Sequence, residues 1–324
     1  MKFLIIQTAF IGDVVLATPI AEALAQLDHA EIHFLVRKGN ESLLENNPFI
    51  HRVWIWNKQQ NKFRNLIQLG KEIRKEKFDC VINLQRFAST GFLTWRSGAV
   101  KKIGFQENPF SFSFSSKFKH EVNNGLHEVN RNLELLREFV PGDFPPRLFP
   151  SVTNFEKVAA YKNLPYVCVA PSSVWFTKQW PKENFIQLVS ELSKKYHVYL
   201  LGAKSDFALC EEVIGMKTSQ STNLCGQLNF LESAALMRDA AMNFVNDSAP
   251  MHFASAMNAP TTAFFCSTIP EFGFGPLSER ARIVECEEQL ECRPCGLHGK
   301  KACPLGHFKC GESTAEQIEM LAKC

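Results

Sequence analysis

Four short stretches carry residue types that could bind or activate a small anionic molecule. In "PSSVWFTKQWP", which follows the apolar run "YVCVA", Ser172 and Ser173 offer hydroxyls and Lys178 a point charge. Hydroxyls and an ammonium at a strand end suit a diphosphate, although an ordinary polar loop with a solvated lysine fits the spacing equally well. In "NDSAPMHFASAMNAP", Asp247 and Ser248 fall where a strand hands over to a helix, and His252 lies one turn later. Free N–H groups and the positive end of the helix dipole attract anions there, and His252 could add a donor. A carboxylate would repel phosphate. Asp247 therefore either caps the helix or accepts hydrogen bonds from a sugar attached to that phosphate, and the joint pattern of acid, hydroxyl and histidine favours the sugar. In "AKSD", Asp206 can reach a ribose diol or serve as a helix cap. In "IGDVVLATP", finally, a strand, a glycine turn and a helix start carry Asp13 where such an arrangement usually cradles phosphate.

These stations need elements to hold them. Short apolar runs rich in β-branched residues alternate with longer helical patterns, as parallel α/β units do. The first half reads as strands at 2–7, 31–36, 52–56 and 79–84, with helices near 13–27, 41–46, 62–76 and 87–97. The proline-rich stretch 141–151 breaks the pattern. The second half then reads as strands at 166–170, 197–202, 222–225, 242–245 and 261–265, with helices near 182–195, 206–214, 230–239 and 249–257. The expected fold is α/β, with two Rossmann-like domains (1–145 and 146–324) facing across a cleft and ligands beyond the carboxyl ends of the strands. Neither half has GxGxxG or a P-loop, which argues against a dehydrogenase or an NTPase.

Composition narrows the class. At 324 residues and 45% hydrophobic, the chain can bury two cores, and no apolar run is long enough to cross a bilayer. The start "MKFLIIQ" imitates a secretory signal, but Gln7 and Asp13 interrupt it and a buried strand is the better reading. Eleven cysteines, an odd number, then indicate mostly free thiols in a reducing cytosol. Net charge is +3, and residues 1–150 hold 20 Lys+Arg against 15 Asp+Glu. So small an excess, without a nucleic-acid motif, does not make a nucleic-acid partner.

Two segments stand apart. The tail 286–310 holds Cys286, Cys292, Cys295, Cys303, His307 and Cys310. A CxxC followed closely by Cys and His has the ligand types of a structural zinc site at Cys292, Cys295, Cys303 and His307 or Cys310, while the second pair departs from a clean CxxC. In "GFQENPFSFSFSSKFKH", Phe105, Phe110, Phe112, Phe114 and Phe118 stand beside Lys117 and Lys119. They could rest on a membrane interface. Alternation at 110, 112 and 114 is better read as one face of a half-buried strand.

Taken together, "IGDVVLATP", "KQWP" and "NDSAPMHFASAMNAPTTAFF" resemble the GD…TP, K-x-W-P and D-S-G-x-x-H…A…P motifs of glycosyltransferase family 9, the lipopolysaccharide heptosyltransferases. The resemblance runs over nearly the whole length and implies a GT-B fold and an inverting, metal-independent transfer of heptose from ADP-heptose to a lipid-linked lipopolysaccharide core. It also implies a cytoplasmic location, with peripheral contact at the inner membrane. By position it makes Asp13 the base that activates the acceptor hydroxyl. Ser172, Ser173 and Lys178 would hold the donor diphosphate, Asp206 the ribose and Asp247 the heptose hydroxyls, with Ser248 and His252 at the helix-end phosphate site. Two departures bear on the donor. Ala249 replaces the usual glycine and is expected to be extended because it precedes Pro250, and Cys266 replaces a glycine where a side chain could narrow the pocket. They keep open a transferase for another nucleotide sugar; a non-catalytic nucleotide-sugar or zinc-binding protein is the alternative from another class.

Overall fold

Each half of the chain builds one six-stranded, all-parallel sheet in the computed structural model, which describes residues 1–215 and 220–323. The first unit, Met1–Phe149, runs β1 (Lys2–Ile6), α1 (Ile11–Leu24), β2 (Glu31–Arg37), β3 (Arg52–Trp56), α2 (Lys62–Lys75), β4 (Cys80–Asn83), α3 (Ala88–Arg96), β5 (Lys101–Phe105), β6 (Ser116–Phe118) and α4 (Glu128–Glu134). Its strand order is β3-β2-β1-β4-β5-β6. The second, Pro150–Cys324, runs α5 (Val152–Val158), β7 (Tyr166–Ala170), α6 (Lys182–Leu192), β8 (His197–Leu200), α7 (Phe207–Ile214), β9 (Ser221–Asn223), α8 (Phe230–Arg238), β10 (Asn243–Asn246), α9 (Ala249–Ala256), β11 (Thr261–Phe265), β12 (Ala281–Glu285) and α10 (Ala315–Leu321). Its order, β12-β11-β10-β7-β8-β9, repeats the first in chain sense. In both, the order reverses beside the first strand, and that switch point is where a doubly wound sheet opens a crevice for ligands.

The central strands are continuous apolar runs because helices cover both faces of a parallel sheet: Phe3, Leu4, Ile5 and Ile6 are all fully buried. The edges explain what the sequence reading missed. Strands β5, β6 and β12 carry lysines, serines or arginine and lie at or next to an edge, where the chain does not need an unbroken apolar run. The expected helix at 41–46 is only the 3-10 segment Glu41–Leu44.

Phenylalanines 110, 112 and 114 do not form a strand face. Asn108 turns the chain by accepting from the Phe110 amide (2.9 Å) and donating to the Gln85 carbonyl (2.8 Å). A 3-10 turn follows at Ser111–Ser113, leaving Phe112 72% exposed and Phe114 5% exposed. The first unit also extends four residues past the expected boundary at 145. Leu148 is buried, Phe149 meets Phe49 edge-on, and the Arg147 amide donates to Thr18 Oγ1 at 3.1 Å.

Thr18 has a second duty. Pro19 lies inside α1 and cannot donate to the Val15 carbonyl four residues back, so that acceptor would go unmet in a buried helix. The Thr18 hydroxyl donates to it at 2.8 Å. The "TP" of "IGDVVLATP" is thus a repair within the helix that carries Asp13. We predict that Thr18→Val, nearly isosteric but without the hydroxyl, destabilises the first unit by about 1–3 kcal/mol. An unchanged urea midpoint would show that the Val15 carbonyl and Arg147 amide find other partners.

Candidate active site

At the switch point of the second unit, the Asn246 side chain joins the ends of two neighbouring strands. Its Nδ2 donates to the Pro171 carbonyl (2.8 Å) and its Oδ1 accepts from the Trp180 amide (2.9 Å). Trp180 is buried, stacks on Phe264 (4.1 Å between centroids) and donates through Nε1 to Ser313 (3.1 Å). The tryptophan of "KQWP" is therefore an anchor, and what it anchors is the loop bearing Lys178.

Lys178 Nζ meets Asp247 Oδ2 at 2.5 Å, and Thr268 Oγ1 donates to the same oxygen at 2.7 Å. Asp247 is buried, so its carboxylate needs both partners. It does not cap α9. The N-cap is Ser248, whose hydroxyl donates back to the Asn246 carbonyl (3.3 Å) rather than capping, while the Met251 amide donates to the Ser248 carbonyl (3.1 Å). His252 is buried in the first turn. Ala249 is not extended as expected but is the first residue of α9, with Pro250 second, where a missing N–H costs no intrahelical bond. Cys266 does not narrow a pocket: its side chain is 1% exposed and belongs to the hydrophobic core. An ammonium at a helix start without a side-chain cap forms a place for an anion, with an acid holding the ammonium ready.

Ser172 and Asp206 form a second cluster at the same end of the sheet. Asp206 Oδ2 accepts from the Ala203 amide (2.8 Å) and from Ser172 Oγ (3.0 Å), so it caps the 3-10 turn Lys204–Asp206 leading into α7. A Cβ on Gly202 would lie 3.0 Å from that oxygen, which fixes the close approach there. Ser173 lends its carbonyl to Gln179 Nε2 (2.7 Å).

In the first unit, Asp13 is the third residue of α1, and its Oδ2 accepts from the Phe10 amide at 3.2 Å. It is half-buried. Gly12 is helical rather than part of a separate turn, so this end of β1 offers no phosphate-sized loop. The sequence reading missed Lys58, which follows β3 just as Lys178 follows β7. Its ammonium donates to the Thr8 carbonyl (2.7 Å) and Oγ1 (3.1 Å) and lies over the Trp56 ring. Burial, then the positive charges of Arg37 and Lys62, push it down to about 8. Only the apolar-then-lysine pattern of "VWIWNK" could have flagged it.

In the tail, Cys292 Sγ and His307 Nε2 lie 3.9 Å apart, Cys303 accepts from the backbone amides of residues 305–308, which lower its thiol, and Cys310 is buried in the core, pushed up to about 12. Among the described residues, three ligand atoms come within 4.8 Å of one another only at Glu31, His33 and His51. There the Trp54 indole donates to His33 Nδ1 (2.8 Å), which leaves the ring proton on Nε2 facing Glu31 (2.7 Å) rather than a lone pair for a metal. No step is routed through a metal. All ten cysteines among the described residues are free thiols.

Comparison with known proteins agrees with this geometry. Residues 66–305 match the family model of glycosyltransferase family 9 (heptosyltransferase). Lipopolysaccharide heptosyltransferase 3 of Escherichia coli K12 is 28% identical over 79% of this chain and 80% of its own length. Among solved structures, a family 9 glycosyl transferase from Veillonella parvula superposes with a TM-score of 0.87 at 21% identity, covering 99% of this chain and 96% of that one. An E. coli heptosyltransferase with bound ADP gives 0.75 at 17% identity, covering 100% and 99%. The likeness of fold is that of GT-B enzymes, two Rossmann-like units in tandem. With the matched span covering well over half its length, the chain belongs to glycosyltransferase family 9, the heptosyltransferases.

Proposed function

We propose that this protein transfers heptose from ADP-heptose to the inner core of lipopolysaccharide, with inversion at the anomeric carbon. The observation that carries the reading is the Lys178–Asp247 pair beside the uncapped start of α9. A donor diphosphate draws Lys178 to itself and takes the helix amides, with His252 in the same turn. Asp247, relieved of its lysine, accepts from heptose hydroxyls. Ser173 adds a hydroxyl, and the Ser172–Asp206 cluster meets the ribose.

The first unit supplies the acceptor chemistry. As the acceptor oxygen bonds to the anomeric carbon, its proton passes to the Asp13 carboxylate and the bond from that carbon to the diphosphate oxygen breaks. ADP leaves with its charge spread over Lys178 and the amides of α9. The Phe10 amide fixes the Asp13 carboxylate at the start of α1, where a base would have to stand. Lys58 and Arg37, at the ends of neighbouring strands, attract an acceptor that carries carboxylate or phosphate groups. The reaction draws on the chain's own groups and on no cofactor.

A lipid-linked acceptor places this chemistry at the cytoplasmic face of the inner membrane. No helix among the described residues is long and apolar enough to cross a membrane. The clustered rings of Phe92, Trp95, Phe110 and Phe112, two of them exposed, support a peripheral contact.

Three outcomes test these roles. Asp13→Asn should abolish transfer and leave ADP affinity within about twofold, since Asp13 does not touch the donor phosphates; a near wild-type rate refutes the base. Incubation with a panel of nucleotide sugars should give transfer with ADP-heptose and not with uridine or guanosine donors, and the reverse preference would replace the donor assigned here. Because Lys58 is charged below about 8 and neutral above it, acceptor kcat/KM should fall as pH rises through that value, and Lys58→Arg, always charged, should remove the fall. An alkaline limb unmoved by the substitution would exclude Lys58.

A further inference from the structure

The cysteine-rich tail does more than cover the core. Its later part, from Cys310 through α10, packs into the hydrophobic core of the second unit. The earlier part, Arg293–Lys300, makes polar bonds to the loop that carries Lys178 and to the chain just past β11, whose Thr268 bonds Asp247. The Thr177 amide donates to the Lys300 carbonyl (3.1 Å), and the Lys300 amide donates to Thr177 Oγ1 (2.7 Å). Ser267 Oγ donates to the same threonine oxygen (2.9 Å), the Ser267 amide to the Thr177 carbonyl (3.1 Å), and the Cys295 amide to the Ser267 carbonyl (2.9 Å). Arg293 reaches under this lattice, donating from Nε to the Cys266 carbonyl (2.6 Å) and from Nη2 to the Thr268 carbonyl (2.8 Å), while pairing with Glu285.

Both partners of the ion pair are therefore held from the tail. Thr268, which bonds Asp247, has its carbonyl taken by Arg293. Lys178 follows Thr177 directly, and its aliphatic stem lies against Gly299: a Cβ there would stand 2.6 Å from Lys178 Cγ and 2.6 Å from Trp175 Cβ. Only a residue without a side chain fits that gap.

We propose that Arg293–Lys300 is a positioning element of the donor site, with Gly299 and the Thr177–Lys300 bonds fixing where the Lys178 ammonium can point. The proposal rests on the donor reading above. Residues 293–300 touch no substrate; they act through Lys178 and Asp247, and loss of their contacts should weaken grip on a nucleoside diphosphate without unfolding the unit.

The test is calorimetric titration with ADP, beside steady-state kinetics, on Gly299→Ala, Thr177→Val and Thr177→Ser. Gly299→Ala and Thr177→Val should each raise the ADP Kd and donor KM about tenfold, the equivalent of one lost charge-assisted contact. Binding stoichiometry and acceptor KM should not change. Thr177→Ser, which keeps the hydroxyl, should stay within about twofold of wild type. A role in folding alone would lower stoichiometry and kcat and leave Kd as it was. If Gly299→Ala does not fold, the Thr177 pair decides. The proposal is overturned if Thr177→Val binds ADP like wild type, or if Thr177→Ser is as damaging as Thr177→Val. Wild-type protein that binds no ADP would overturn the donor reading itself, before any variant is compared.

Discussion

An ion pair between buried Asp247 and half-buried Lys178 governs the second unit. Taking Lys178 and Asp247 out of water costs on the order of several kcal/mol per charge, recovered only if geometry and extra hydrogen bonds are good. The surrounding residues meet that demand. Thr268 gives Asp247 a second donor, Asn246 ties the Lys178 loop to β10, Trp180 roots the loop in the core, and Gly299 closes over the lysine stem. On the donor role proposed above, such a pair suits exchange: a diphosphate at the helix start would replace the carboxylate without the ammonium ever being left alone.

The two units share one strand order but use their switch points for opposite charges. In the second, a lysine stands by a helix start that has no side-chain cap. In the first, the helix start is already occupied by the Asp13 carboxylate, and Gln7 and Gln85 join across the reversal by a side-chain hydrogen bond. Parallel topology thus sets where chemistry can sit, and the residue in the first helical turn sets its sign. The acid that seemed misplaced in a phosphate cradle belongs to a helix end that has no phosphate to bind.

Much of this was legible in the sequence, and the reasons for the gaps are physical. Central strands such as β1, β7 and β10 announce themselves because both faces are covered, whereas β6 and β12 at the edges carry Lys117 or Arg282 and read as loop. Residue types at the strand ends pointed to Lys178, Asp247 and Asp13. Their partners did not show, because Lys178 and Asp247, or Ser172 and Asp206, are far apart along the chain and meet only through strand order. Spacing left both a ribose acid and a cap open at Asp206; the Ala203 amide shows the cap, and the two uses do not conflict. The tail misled for another reason. Cysteine spacing offers four or five ligands alike, whereas in the fold Cys310 goes into the core and Cys292 meets His307.

The bonds from the tail to Thr177 and Ser267 come mainly from main-chain groups of Lys300 and Cys295. A main-chain donor survives replacement of the side chain it belongs to. The constraint therefore falls unequally: the Lys178 loop must keep its threonine hydroxyl, while between Arg293 and Gly299 the tail is free to drift in composition so long as its path is kept. Related chains could carry tails that share no recognisable motif and still close the same wall.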